Sequence, residues 1–279
     1  MTEITPEAQS QPTQAKTSIT MVLDHSGSME ACRAATIESV NAYLQKGRID
    51  DNLKDADFEL AIFDTEAYEV IRRSVLSAAN DITRDEFEPR GGTPLLDAVG
   101  RGIDGLDKRS RDDKAILVIV TDGEENSSRK HTYESIQALL EDRQKKGWMV
   151  LFLGAGLDSA QQGLRMGVPG VNVANIGLKH AQLRACMDTM AETNATYASA
   201  PTPGARRNYA ASAKLSRSAR VAMGDASGGD GIVDNGSKTG GIGKLFRRGK
   251  KTPAATAAPP PPPAGESDAW IEPRGDAWN

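Results

Sequence analysis

Cysteine is nearly absent: the 279-residue chain holds two, Cys32 and Cys186, far apart in the sequence. A secreted scaffold stapled by disulfides needs several paired thiols in a short chain and is excluded, so a reducing, cytoplasmic setting fits better. Histidine is as scarce, with three residues, and no Cys/His cluster of the kind that binds zinc is present. Long apolar runs are missing too. No stretch reaches the roughly 18 to 20 apolar residues that span a bilayer, and residues 1–16 are polar without an apolar export core, so neither membrane insertion nor general secretion is expected.

The formal net charge of −4 averages over unlike segments. Residues 1–200 carry 22 basic and 31 acidic side chains, residues 201–251 carry 11 and 3, and residues 252–279 carry 1 and 4. Apolar runs are frequent as far as Tyr197 and then give way to Ala, Ser, Gly and Pro. A segment so poor in apolar side chains has too little to bury to offset its chain entropy. The expected organisation is a polar, disordered leader over 1–16, one folded domain over 17–197 and a low-complexity tail over 198–279. The tail contains a basic segment at 244–251, a proline run at 259–263 and an acidic, Trp-bearing end at 266–279.

Within the domain, Thr17 to Leu23 (TSITMVL) and Ala115 to Val120 (AILVIV) read as strands buried on both faces, running into Asp24 and Thr121-Asp122. Phe58 to Phe63 and Tyr68 to Val75 read as a hairpin around Asp64-Thr65-Glu66, its second strand an antiparallel edge. Trp148 to Leu153 and Val171 to Val173 complete the strands. Helices are predicted over 29–46 with Gly47 as a stop, from Pro94 to about Leu106, and over 132–146, 160–166 and 178–196. Strands alternating with helices imply an α/β fold with a mostly parallel sheet covered on both faces, whose ligands sit at the carboxyl ends of the strands.

The segment Asp24-His25-Ser26-Gly27-Ser28 places three oxygen donors at alternate positions of one loop, with Gly27 read as easing the turn. A second loop offers the Thr93 hydroxyl and a third the Asp122 carboxylate. Two carboxylates, three hydroxyls and no soft ligand are what Mg²⁺ or Mn²⁺ prefers. DHSGSM by itself also reads as a helix start capped by Ser26 or Ser28; the placement of Thr93 and Asp122 favours the metal. His25, alternate to the donors, is expected to point away in a supporting or solvent-facing role. Glu124, Glu125 and Asn126 read as a rim around the metal or, preferably, as a solvated acidic cluster leading a helix. Gly154-Ala155-Gly156 lacks the further glycine and the lysine of nucleotide-binding loops.

In order and placement, DHSGS, the GGTPL loop at 91–95 and TDG at 121–123 resemble the metal-ion-dependent adhesion site (MIDAS) of the von Willebrand factor type A (vWA) domain. The resemblance covers about residues 17–197, and GGTPLLDAV, TDGEENSS and WMVLFLGA look like a bacterial and phage branch of intracellular, single-domain members. It implies a Rossmann-like, three-layer vWA fold. It also implies a coordinatively incomplete metal at Asp24, Ser26, Ser28, Thr93 and Asp122 that accepts an Asp or Glu of a protein partner. Ser26 and Ser28 would bind the metal directly, Asp24 and Asp122 largely through water and Thr93 in either way, and the helix after Pro94 would shift as the partner binds.

The function expected is a non-enzymatic, metal-dependent protein-binding module. Catalysis is disfavoured because Ser26 has no convincing His partner, His131 and His180 lying outside the three loops, and because the metal requires Asp24, the only Asp of its loop. Two other classes remain open: an accessory subunit of an ATP-driven remodelling or metal-insertion complex, and a phage-associated or structural protein in which the metal only stabilises the fold. The segment 244–251 reads as a solvated linker in preference to a weak contact with nucleic acid or an anionic surface. The proline run reads as polyproline II. Both cysteines are expected to be buried and inert.

Overall fold

Strand β1 (Ser18–Asp24) is buried along its whole length, and its side chains alternate between two cores: Ile19, Met21 and Leu23 enter one, Val22 the other. Strand β4 (Ala115–Thr121) repeats the pattern, with Ile116, Val118 and Val120 on the first side and Leu117 and Ile119 on the second. Strands apolar on both faces need cover on both, the burial condition of a parallel sheet. The computed structural model describes residues 16–110, 114–212 and 215–225, all within one unit of residues 1–236. In it these strands join β2 (Asp57–Phe63), β3 (Tyr68–Val75), β5 (Met149–Ala155) and β6 (Val173–Ile176) in the order β3-β2-β1-β4-β5-β6. Every pairing is parallel except that of β2 with the edge strand β3.

Helices α1 (Arg33–Ile49) and α5 (His180–Ser199) close the first core with Tyr43, Leu44, Met187 and Met190. Helices α2 (Leu95–Arg109), α3 (Tyr133–Lys146) and α4 (Leu157–Arg165) close the second with Val99, Ile103, Ile136, Leu140 and Ala160. The result is the three-layer, Rossmann-like α/β fold with one antiparallel edge strand that the sequence pattern predicts. No helix among the described residues is long and apolar enough to cross a membrane. Both cysteines are buried, and burial pushes the Cys186 thiol up to about 12 and the Cys32 thiol above its ordinary value.

Several boundaries differ from expectation for identifiable reasons. A 3-10 turn (Gly27–Cys32) precedes α1, which runs through Gly47 to Ile49. Gly47 is a packing notch, not a stop: a Cβ there would lie 2.5 Å from Leu76 Cδ2. The last strand begins at Val173, where the expected one ended, because Gly170–Asn172 forms a 3-10 turn.

The folded part also extends past residue 197 into two further helices, α6 (Pro203–Ser212) and α7 (Arg217–Met223). The Arg220 guanidinium is 1% exposed and donates to the carbonyls of Val171 and Val173, at 3.1 Å each, and to Asp225 at 2.5 Å. Met223 is fully buried, and its carbonyl accepts from Gly177 N at 2.8 Å. Composition hides this extension because arginine counts as polar whether or not it has acceptors to be buried with. Residues 1–15 of the expected leader, and the tail calls at 244–251, 259–263 and 266–279, lie outside the described residues.

Gly154 has a packing role in place of a phosphate-cradling one. A Cβ there would lie 2.7 Å from both Ala160 N and Ser159 C, main-chain atoms of α4 that no rotamer change can move. Gly154→Ala is expected to destabilise the protein by about 1–3 kcal/mol. Urea denaturation measures this, and a variant within about 0.5 kcal/mol of wild type would show that α4 is free to lift off β5.

Candidate metal centre

The strand order reverses between β1 and β4, so the connections leaving their carboxyl ends diverge and open a crevice above the middle of the sheet. Asp24 ends β1 and is fully buried, while Asp122 follows β4 and is half-buried. Hydrogen bonds connect the two through the serines. Ser26 N donates to Asp24 Oδ1 at 2.7 Å, Ser26 Oγ lies 3.0 Å from Ser28 Oγ, and Ser28 Oγ donates to Asp122 Oδ1 at 2.6 Å. Thr93 closes the group from the second loop. A Cβ on Gly123 would lie 2.5 Å from Thr93 Oγ1 and 3.2 Å from Asp24 Oδ2, so only glycine leaves these oxygens their approach. All five sequence-predicted positions are therefore brought together.

Gly27 does not supply the strained turn; its N–H donates to Gly91 O at 3.1 Å, and Gly91 takes the left-handed conformation at φ 64°. His25 does turn away from the donors, but into the protein. It is 3% exposed, its Nδ1 lies 2.9 Å from Asp64 Oδ2, and its ring rests edge-on against Phe87 at 5.1 Å. Asp64 also accepts from the backbone N–H groups of Glu66 and Ala67 and from Arg90 Nε. This network ties the DHSGS loop to the β2–β3 turn.

Several contributors escape sequence reading. Thr121 Oγ1 donates to Asp24 Oδ2 at 2.5 Å and accepts from Gly123 N at 3.0 Å. The run 124–126 does not lead a helix, since α3 starts at Tyr133 under its own Thr132 cap; Glu124 and Asn126 are exposed, whereas Glu125 is half-buried. Glu125 instead accepts from Leu96 N at 2.9 Å, satisfying a free N–H in the first turn of α2, and from Ser127 N, Ser128 N and Ser128 Oγ. Asn126 Oδ1 accepts from Thr93 N at 2.9 Å, and Asn126 N donates to Thr93 O at 3.2 Å. The run Glu125-Asn126-Ser127-Ser128 carries the polar side chains such caps require, yet nothing in it says which helix it caps.

Burial holds the Asp24 carboxyl above its ordinary range, against hydrogen bonds from Thr121 and Ser26 that lower it, and nearby Asp122 raises it further. Burial likewise raises Asp122 despite the Ser28 hydroxyl. Among the described residues neither carboxylate forms an ion pair with a Lys or Arg; their partners are hydroxyls and backbone N–H groups. The donor set fits a hard divalent cation: side-chain oxygens only, two of them carboxylate. Among the described residues no three His, Cys, Asp or Glu side chains form a metal-holding group, so any such centre depends on its hydroxyls.

The loop carrying Asp122 is anchored at its far end by Asp97 of α2, which accepts from the backbone N–H groups of Arg129, Lys130 and His131 at 2.8, 2.9 and 2.9 Å. Burial pushes the Asp97 carboxyl up, but these amides outweigh it and hold it below its ordinary range. A depressed carboxylate stabilises the fold above its unfolded-state pKa of about 4, and the contribution fades as pH falls through the folded value. Asp97→Asn is expected to lose about 1 kcal/mol at pH 7 and to converge with wild type toward pH 2. Chemical denaturation across that range checks it; a deficit independent of pH would mean the carboxylate charge is not what holds the loop.

The chain matches no family model, and no curated protein matches it. Among solved structures it is similar to the pilus adhesin SpaC of Lactobacillus rhamnosus GG in its open conformation, at 14% identity over 66% of this chain and 30% of that one, TM-score 0.48. It is similar to the SpRpn10 VWA domain at 13% identity over 63% of this chain and 95% of that one, TM-score 0.42. It is also similar to the manganese-loaded Plasmodium vivax TRAP protein at 16% identity over 55% of this chain and 63% of that one, TM-score 0.40. The match thus spans under a third of the pilus adhesin's length. The fold assignment rests on the strand order and the two cores, not on these likenesses.

Proposed function

We propose that this chain is a metal-dependent protein-binding module of the vWA type, in which Asp24, Ser26, Ser28, Thr93 and Asp122 hold Mg²⁺ or Mn²⁺ and the ion engages an Asp or Glu of a partner protein. The observation that carries the reading is the convergence of these five oxygen-bearing side chains, from three separate loops, on the crevice between β1 and β4. A bound divalent ion would supply a Lewis-acidic position for a carboxylate oxygen. The residues around it do the positioning. Thr121 Oγ1 and Ser26 N engage both oxygens of Asp24, and Asn126 holds the Thr93 backbone. Ser28 is exposed and Asp122 half-buried, so this side of the group faces a partner's approach.

Binding is favoured over catalysis because no serine–histidine pair is assembled at the group. His25 is engaged with Asp64, His180 with Glu38, and the His131 ring lies against α2 at Gly100. Ser28→Ala is the most informative variant, since its exposed site spares the cores. Wild type is expected to gain about 2.7 kcal/mol of stability when Mn²⁺ is at a hundred times its Kd, and Ser28→Ala to lose on the order of tenfold or more in metal affinity. Thermal unfolding in Mn²⁺, Mg²⁺ and EDTA, together with affinity capture under the same conditions, tests both steps. Identical melting and identical captured proteins with and without the metal would remove the proposal.

A further inference from the structure

Beside the Thr93 loop lies a cavity of about 570 Å³, walled by the β2–β3 turn, the first turns of α2 and the segment 126–129. It adjoins the candidate metal centre, because Pro94 and Asn126 line it and flank or hold Thr93. Three carboxylates and two guanidiniums line this cavity: Asp64, Glu66, Asp97, Arg101 and Arg129. The carboxylates are all engaged within the protein. Asp64 holds His25, Arg90 and two backbone N–H groups, Glu66 pairs with Arg90, and Asp97 holds three backbone N–H groups. The guanidiniums are not so engaged: among the described residues neither has a carboxylate partner, and Arg101 only stacks over the Tyr68 ring at 5.6 Å from its centroid. What the cavity offers to a ligand carboxylate is therefore a pair of guanidiniums without carboxylate partners among the described residues, beside acids whose oxygens are already engaged.

We infer that this cavity is a second anchoring subsite, in which Arg101 and Arg129 receive a further Asp or Glu of the same partner segment whose first carboxylate reaches the metal centre. The inference rests on the proposed function and adds to it the class of partner: an acidic stretch with two spaced carboxylates. A carboxylate is favoured as occupant because the adjoining centre takes the same group, so one extended acidic segment meets both. The pairs formed are solvent-accessible, so each is expected to add about fivefold or less to affinity and to weaken with salt over a Debye length of about 8 Å.

The test uses the full chain and a display library of short peptides with one Asp fixed at the centre and the other positions randomised, panned in Mn²⁺. Wild type is expected to enrich a second Asp or Glu at one preferred spacing. The preference should vanish in Arg101→Gln/Arg129→Gln and turn toward Lys or Arg in Arg129→Glu, a gain that a misfolded variant cannot produce. Mn²⁺-dependent binders with no second acidic position, or with the same position enriched in the double variant, would overturn the subsite and leave the metal reading standing. Binders indifferent to EDTA, or none in Mn²⁺, would remove both. Tighter binding of a phosphoserine peptide than of its aspartate counterpart would overturn the carboxylate assignment.

Discussion

Strand β1 is hydrogen-bonded in parallel to β2 on one side and to β4 on the other, and the upper edge of the protein follows from that double pairing. A strand paired on both sides and buried on both faces has one open direction, along its own axis past its carboxyl end. The chain leaves β1 toward α1 on one face of the sheet, while the connection into β4 descends through α2 on the other. The space between the departing connections is where Asp24 and Asp122 meet, and the DHSGS, GGTPL and TDG loops line it beside the β2–β3 turn. Side chains that would be ordinary in surface loops become a convergent group because β1 is central.

Charge at this edge is poorly described by counting residues. Asp64, Asp97 and Glu125 together accept from eight backbone N–H groups, those of residues 66, 67, 96, 127, 128, 129, 130 and 131. They substitute for the secondary structure that these loops lack, consistent with the rule that buried backbone donors find partners. Once they are set aside, Asp24 and Asp122 stand out as carboxylates drawn out of water that are held by hydroxyls and, among the described residues, by no ion pair. The same subtraction leaves Arg101 and Arg129 as available charge. Structural acids thus mask two groups of opposite sign that form no ion pair among the described residues.

The parts of this arrangement legible in the sequence are those that local pattern encodes. Ala115 to Val120 reads as a buried central strand because both its faces are apolar, and the convergent oxygen-bearing side chains are legible because alternation in one loop and placement after strands can be read along the chain. The clasp of Glu125 and Asn126 on α2 is not, since it joins residues about thirty positions apart in sequence and the run would serve equally well at the start of α3. Gly47 fails for a similar reason: a glycine in a helix and a glycine after one look alike until Leu76 is placed beside it. Residues 198–225 fail because the rule that arginine is solvated gives the wrong sign where Val171, Val173 and Asp225 supply acceptors.

Helix α2 shows how these constraints bear on any response to a ligand. Its first turn is held by Glu125 Oε2 at Leu96 N and by Ser128 Oγ at Asp97 N. Its last turn is held by Arg109, whose buried guanidinium faces Asp57 and Glu59 at 3.1 and 3.5 Å and whose carbonyl accepts from Ser18 Oγ. A helix fixed at both ends does not slide along its axis without breaking a buried ion pair, which is costly once one partner is left behind. Its amino end is hydrogen-bonded to the loop 122–131 and is packed on the sheet through Leu95, Leu96 and Val99. Thr93 is bonded to that loop in both directions through Asn126. The same loop is also held to α4, since Gln162 accepts from Glu125 N at 2.6 Å and donates to Gly123 O at 3.1 Å. The donors of the second and third loops are thus tied to each other through Asn126, and the third is tied to the first through Ser28 and Asp122, so helix α2 and the three loops share one hydrogen-bond network.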